Sequence, residues 1–304
     1  MKKTTPTRGA PESVRSVVPM TAFSRGTAPG SPVSSDPLAV LGTLPGVSDS
    51  VEAVRQAVDR AYGHRVMRRR SNEITSEAAL RGARASAALA GADWPLEEVR
   101  RRSDFGADEE SRTVGAALRL TAESGQLLSV WRQSPLQALA RLHLVAAGGV
   151  VPDDTVGRPR RAGEPVAEEQ LAALPLPDAA EVVARLEGLA WLLLGGSTAP
   201  ALVVAAVVHG ELLALRPFGS YNGPVALAAQ RIVLVGSGLD PKSICPAEVG
   251  HAELGRAEYL KALGAYMSGT PQGMAQWIAH CAEAVRLGVR ESTAVCEALQ
   301  RGAA

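Results

Sequence analysis

The stretch RPFGSYNGP, residues 216–224, decides how this chain folds. It separates two strongly apolar segments, residues 202–215 and 225–235. Asn222-Gly223 is a strong turn signal, and Pro224 suits the first position of a helix, where its missing N–H would have no partner. The stretch therefore predicts a tight loop between two buried helices. Because the free N–H groups of a helix start attract anions, it also predicts a phosphate or carboxylate site.

The loop resembles the core motif of the Fic (Fido) family, HPFx(D/E)GNGRxxR, and the similarity extends over about residues 72–300. The matching motif positions are Pro217, Phe218, Asn222 and Gly223. Similarity outside the motif lies at Leu142-His143, Gly157-Arg158, His209, Leu239-Asp240-Pro241 and Tyr259. The resemblance implies an all-α, Fic-like domain over residues 47–304, with N-terminal helices at 47–130 and the Fic core at 131–300. It also implies a short β-hairpin flap at 150–166.

The motif departs from the family at the positions that carry its chemistry. In Fic enzymes the motif histidine is the general base for AMP transfer from ATP to a protein hydroxyl. Arg216 stands there, and a guanidinium stays protonated and cannot accept a proton. Ser220 replaces the acidic Mg²⁺ ligand, so Mg²⁺ binding is not expected. Pro224 and Leu227 replace the two arginines, and the resemblance therefore implies a catalytically impaired adenylyltransferase scaffold.

An anion cradle survives these changes. Its candidate ligands are Arg216, Phe218, Ser220, Asn222 and Gly223, and ATP or another nucleotide is the expected anion. The plain alternative is a helix-start turn with a surface arginine.

Two further interpretations remain open. The chain could be an unorthodox nucleotidyl or phosphoryl transferase that uses His209 or Glu211 as its base. Alternatively, it could be a non-catalytic protein-interaction scaffold. His209 lies two helical turns before Arg216, but a core histidine is the more ordinary interpretation.

A second family feature is the inhibitory motif (S/T)xxxE(G/N). Ser86 and Gly91 match it, whereas Ala90 stands at the glutamate position. In the family this glutamate pairs with a motif arginine, and both partners are missing here. The alternative is that residues 83–89 are the small-residue face of a packed helix.

Arg158, Arg160 and Arg161 lie in the Pro/Gly-rich segment 150–166, where the family flap aligns a target segment by strand addition. This segment is a candidate contact for a protein partner, against the alternative of a plain exposed loop.

Composition excludes several classes of function. The net charge of +1 argues against a nucleic-acid binder. Three widely spaced cysteines fit a reduced, cytoplasmic setting. The five histidines show neither an HExxH pattern nor clustered spacing, so no metal site is expected.

Two segments need separate treatment. Residues 1–46 are rich in Pro, Ser, Thr and Gly and predict a disordered tail, in which Met20 is an alternative start. Residues 188–208 carry no charge over a length that would cross a bilayer, but Gly195-Gly196 and Pro200 interrupt them. They predict two buried helices and no membrane association.

Hydrophobic periodicity predicts a helical chain with almost no strand signal. The predicted helices cover residues 50–70, 73–91, 95–102, 108–128, 135–147, 178–194, 199–215, 223–237, 252–267 and 271–300.

Overall fold

The computed structural model of the protein describes residues 36–302, which form fourteen α-helices and no strand. In chain order these are α1 Pro37–Leu41, α2 Val47–Gly63, α3 Arg65–Arg69, α4 Ser71–Leu89, α5 Leu96–Arg101, α6 Glu109–Gln126, α7 Leu128–Gln133, α8 Pro135–Ala147, α9 Ala179–Gly195, α10 Ala201–Leu215, α11 Asn222–Gly236, α12 Ala247–Leu254, α13 Arg256–Met267 and α14 Pro271–Gln300. The predicted all-α fold is confirmed.

Most predicted helices correspond to observed ones within three residues at each end, and local chemistry explains the differences. The helix predicted at 50–70 is broken at His64, whose ring Nδ1 accepts a hydrogen bond from Val66 N and starts α3. The helix predicted at 252–267 is broken at Gly255, which has a φ of 85°: its first three residues belong to a separate helix, α12, that begins at Ala247. The short helices α1 and α7 were not predicted.

The apolar segments around residues 216–224 form the centre of the molecule. Helices α10 and α11 are buried on nearly every face, as expected for helices that are hydrophobic all round. Helices α4, α6, α8, α13 and α14 pack around this pair. The connecting loop is therefore held at both ends by the core, which fixes the position of the candidate site.

The folded part begins earlier than predicted. Asp36 accepts hydrogen bonds from the N–H groups of Leu38 and Ala39, and Leu38 is buried, so α1 belongs to the folded body and not to a tail. Residues 1–35, and with them the alternative start at Met20, lie outside the described residues.

The uncharged segment at 188–208 is split between α9 and α10, as predicted. Within residues 36–302, no helix combines the length and apolar character that crossing a bilayer requires.

The possible hairpin at 150–166 is not formed. Its only regular element is a 3₁₀ turn at Asp153–Thr155, and prolines at 152, 159 and 165 remove donors that strand pairing would need. The backbone N–H of Arg160 donates instead to Pro217 O, at 2.7 Å, and that of Ala167 to Gly219 O, at 2.8 Å. This segment is therefore fixed to the loop between α10 and α11.

Candidate functional site

The loop between α10 and α11 has a rigid, locally determined shape. Arg216 and Tyr221 have positive φ values of 44° and 57°, which non-glycine residues rarely adopt. Asn222 holds the turn between them: its Oδ1 accepts from Phe218 N at 2.8 Å, and its Nδ2 donates to Phe218 O at 2.9 Å. Helix α11 begins at Asn222, so Pro224 is its third residue and not the first, as the sequence had suggested.

Phe218 anchors this loop in the core. It is 2% exposed, and its ring stacks on His143 with centroids 4.1 Å apart. His143 Nδ1 accepts a hydrogen bond from Gly157 N at 2.9 Å, and burial lowers the pKa of His143 to about 4. The neutral imidazole thus ties three of the segments that resemble the Fic family to one another.

Arg216 does not lie on the surface as a free cation. It is 3% exposed, and its Nη1 donates to Leu171 O at 2.8 Å and to Leu174 O at 3.3 Å. Its Nη2 donates to Leu174 O and to Pro175 O. Burial lowers the pKa of the guanidinium, which the nearby Glu168 partly offsets. Arg216 therefore holds the segment before α9 against the loop.

Glu168 lies at the helix start where the sequence predicted an anion site. Its Oε1 accepts from the N–H of Gly223 at 3.1 Å, in the first turn of α11. Helix α11 has no cap from its own N-cap side chain, so this carboxyl group, 55 residues earlier in the chain, supplies the hydrogen-bond acceptor that the helix start needs. Burial raises the pKa of Glu168 to about 7, opposed by hydrogen bonds from Gly223 and Asn222.

We call residues 157–175 the strap, because they cross the loop and carry Glu168. Besides its two backbone bonds to the loop, the strap uses Arg160, whose Nε donates to Arg216 O at 3.1 Å and whose Nη2 donates to Pro177 O. Arg158 forms a two-pronged ion pair with Glu164, with N···O distances of 2.8 and 2.7 Å. Of the three arginines predicted to contact a partner, only Arg161 is exposed.

The predicted ligand residues are thus brought together, but most are already engaged. Asn222 and Gly223 make internal hydrogen bonds, and Phe218 is packed. Two oxygen atoms at the site, Ser220 Oγ and Glu168 Oε2, are buried and lack hydrogen-bond partners within the described part of the chain. The site therefore has unused polar groups beside a bound carboxylate.

The inhibitory-like motif lies at the end of α4, beside the strap. Ser86 is buried, Ala90 ends the helix, and Gly91 follows with a φ of 104°. A Cβ on Gly91 would lie 2.5 Å from Gln170 Nε2, so the strap approaches the glycine closely. Ala90 offers no carboxylate, whereas the strap presents Glu168 two residues before Gln170.

His209 and Glu211, the proposed substitute bases, are buried inside the core and hydrogen-bonded there. His209 Nε2 lies 2.8 Å from the hydroxyl of Tyr259, and burial lowers the pKa of His209 to about 3. Glu211 pairs with Arg185 at 2.8 and 2.9 Å and accepts from Tyr266 at 2.7 Å. These contacts favour structural roles for both side chains.

Two features were missed by sequence reasoning. Glu168 had no local signal, because it reaches Gly223 only through the path of the strap. The fold also brings His209, His251 and Cys281 together, although their spacing shows no metal-binding pattern.

No protein-family model matches the sequence, and no curated protein matches it either. Among solved structures, a Fic family protein from Desulfovibrio desulfuricans G20 aligns with a TM-score of 0.65 and 20% identity, over 83% of this chain and 75% of that one. Fic-1 from C. elegans aligns with a TM-score of 0.55 and 16% identity, over 82% of this chain and 72% of that one. A point variant of the same Fic-1 aligns with a TM-score of 0.54 and 17% identity, over 81% of this chain and 72% of that one.

In this fold the loop that resembles the Fic motif lies between two buried helices, α10 and α11. The chain has the Fic fold, and the predicted resemblance is confirmed at that level.

Proposed function

We propose that this protein is a Fic-fold binding protein that does not transfer AMP. The observation that carries the proposal is the state of Arg216 at the position of the family's catalytic base. Its guanidinium is buried and donates to the carbonyls of Leu171, Leu174 and Pro175. A group that is protonated and bonded in this way cannot take a proton from a hydroxyl.

The neighbouring positions also fail to fit a Mg²⁺–ATP complex. Ser220 offers a hydroxyl where a hard cation favours a carboxylate. Pro224 and Leu227 are buried in α11 and place no positive charge near a phosphate. The donor set therefore supports no turnover step through a metal nucleotide.

An anionic group without a metal fits the site better. Glu168 already serves as such a group, since its carboxylate accepts from the start of α11. We infer that a phosphate or carboxylate of a nucleotide or protein partner binds by replacing Glu168. The free Ser220 hydroxyl is then available to donate to the new ligand.

The first test is transfer from ATP labelled on the α-phosphate, with Mg²⁺ or Mn²⁺, alone and with cell lysate. We expect no labelled protein from the wild type or from Arg216→His, because the family's acid and two arginines remain absent at positions 220, 224 and 227. Transfer by the wild type would overturn the proposal and support the transferase alternative. Transfer by Arg216→His alone would show that the base is the only missing group.

The second test is anion binding, measured by calorimetry with AMP and inorganic phosphate. Glu168→Ala empties the cradle, so we expect it to bind either anion at least about tenfold more tightly than the wild type. Glu169→Ala, an exposed neighbour, is the matched control. If Glu168→Ala binds neither anion, the cradle is only a helix cap, and the scaffold alternative is favoured.

A further inference from the structure

Two buried imidazoles and one buried thiol meet in the core, outside the strap and its loop. His209 lies on α10, His251 on α12 and Cys281 on α14. One potential ligand atom from each of the three lies within 4.8 Å of the other two. Exposure is 0% for all three residues, so water does not compete for these atoms.

The hydrogen bonds of the two imidazoles are compatible with a lone pair on Nδ1 of each ring. His251 Nε2 lies 3.3 Å from Gln230 Oε1, which can only accept, so this nitrogen carries the proton and Nδ1 keeps a lone pair. His209 Nε2 is bonded to the Tyr259 hydroxyl, whereas its Nδ1 is buried with no partner among the described residues. With the proton on Nε2, His209 also keeps a lone pair on Nδ1.

Metal-binding histidines are held in this manner, with one ring nitrogen hydrogen-bonded to an outer group and the other left for the ion. A buried polar atom without a partner is costly, and a cation at His209 Nδ1 would remove that cost.

His280 supplies a fourth donor and a link to the surface. Its Nε2 lies 3.1 Å from His251 Nδ1, and its side chain is half-buried. Ligand atoms in a tetrahedral zinc site, at about 2.0–2.1 Å from the ion, lie roughly 3.3 Å apart. The two imidazoles are thus already at the spacing of neighbouring zinc ligands.

We propose that His209, His251, Cys281 and His280 form a structural Zn²⁺ site that joins α10, α12 and α14. Three nitrogens and one thiolate are a donor set that suits this ion. Binding requires Cys281 to release its thiol proton to solvent, and His280 to move its proton from Nε2 to Nδ1. No atom changes oxidation state.

The test uses the full chain, unfolded with a chelator and then refolded with Zn²⁺, with Co²⁺ or without metal. We expect one ion per chain and a higher midpoint of thermal unfolding with Zn²⁺. With Co²⁺ we expect a thiolate-to-cobalt charge-transfer band together with the visible bands of a tetrahedral site. The charge-transfer band requires a thiolate ligand, which a cysteine that only packs in the core would not provide.

Cys281→Ala should lose the charge-transfer band and the thermal response to Zn²⁺. Cys296→Ala is the matched control, because Cys296 is buried on the same helix but outside the cluster. Gln230→Met keeps all four ligands but removes the acceptor of His251 Nε2–H, so we expect affinity to fall about 10–100-fold while the band persists.

Absence of both the band and the thermal shift in the refolded wild-type chain would overturn the proposal, whatever the variants do. An unchanged band in Cys281→Ala, or its loss in Cys296→Ala alone, would place the ion at another cysteine and would equally contradict the site.

Discussion

Arg216 takes the place of the histidine in the segment that resembles the Fic motif, and its side chain is buried. Its own backbone has the left-handed conformation that ends α10, while its side chain binds the carbonyls before α9. Glu168 on the strap interacts electrostatically with Arg216. Burial raises the pKa of Glu168 and lowers that of Arg216. Arg216 and Glu168 thus hold the strap against the loop, and neither is the histidine that serves as the base in Fic enzymes.

The raised pKa of Glu168 predicts a pH-dependent stability. Its ordinary value is 4.5 and its value in the folded protein is about 7, so folding favours the protonated form. This contribution is fully present below pH 4.5 and is lost as pH rises through about 7. We expect wild-type protein to lose about 3 kcal/mol of unfolding free energy relative to Glu168→Gln across this window, measured by urea denaturation.

Glu169→Gln is the control for that experiment, because this neighbouring side chain is exposed. It should follow the wild-type curve at every pH. A difference between wild type and Glu168→Gln that stays constant from pH 4.5 to 8 would show that Glu168 has an ordinary pKa and is not desolvated at the start of α11.

Local sequence signals gave the turn at Asn222 but not its partner. The Asn222 side chain fixes the loop through contacts with Phe218, four residues away, and such local contacts are captured well by sequence patterns. Glu168 lies 55 residues before Gly223, and only the route of the strap brings its carboxylate there. The predicted turn and helix start therefore match the structure, whereas the carboxyl group that lies against them could not be predicted.

The strap covers the loop between α10 and α11 and places Glu168 at the start of α11. It has no regular secondary structure beyond a short 3₁₀ turn at Glu169–Leu171, so its order depends on contacts with the loop. Most of those contacts are made by Arg160, Arg216 and Glu168. Segments held by a few polar contacts open at lower free energy than the core.

Removing the Arg216 contacts should loosen the strap selectively. In Arg216→Met the carbonyls of Leu171, Leu174 and Pro175 lose their donor. We expect amide hydrogen exchange in peptides covering residues 160–175 to accelerate at least about tenfold, which corresponds to about 1.4 kcal/mol of opening free energy. Arg161→Met, at an exposed position, should leave exchange unchanged. Equal exchange in wild type and Arg216→Met would mean that the remaining contacts between the strap and the loop are enough to keep the strap ordered.

Helices α12 and α14 pack so closely at Gly250 that there is no room for a side chain. A Cβ on Gly250 would lie 1.9 Å from the backbone oxygen of Ala284, so the two helices would have to separate. We expect Gly250→Ala to cost about 3 kcal/mol of unfolding free energy. Gly264→Ala on α13 is the control, because its Cβ would meet nothing within 4 Å and the change should stabilise by about 0.4–1 kcal/mol. Equal effects of the two changes, measured by chemical denaturation, would contradict this packing.

At the scale of the whole molecule, the fold follows from patterns that the sequence carries openly. Segments that are apolar on all faces form the central pair α10 and α11, and amphipathic helices surround them. The breaks at His64 and Gly255 were missed because capping side chains and glycine dihedrals, not hydrophobic periodicity, set them. The His209, His251 and Cys281 cluster was missed for a related reason: its members come from three helices whose packing only the fold defines.

A buried ion pair connects α11 and α12 and lies against α4, so changes to it report on how these three helices pack. Arg231 on α11 and Glu248 on α12 are 6% and 4% exposed, with N···O distances of 3.0 and 2.9 Å. A Cβ on Gly82 of α4 would lie 2.4 Å from the Arg231 guanidinium, so three helices meet at this pair. Removing one partner leaves a buried charge, whereas removing both does not.

We therefore expect Arg231→Met to cost about 3–5 kcal/mol of unfolding free energy, measured by guanidinium denaturation. The double variant Arg231→Met with Glu248→Leu should recover most of that loss, because neither charge then remains without a partner in the core. A double variant as unstable as Arg231→Met would mean that the pair is required for the geometry of α4, α11 and α12 themselves. Since the loop at residues 216–221 leads directly into α11, the same variants should also change the exchange of the Gly223 amide if that geometry is disturbed.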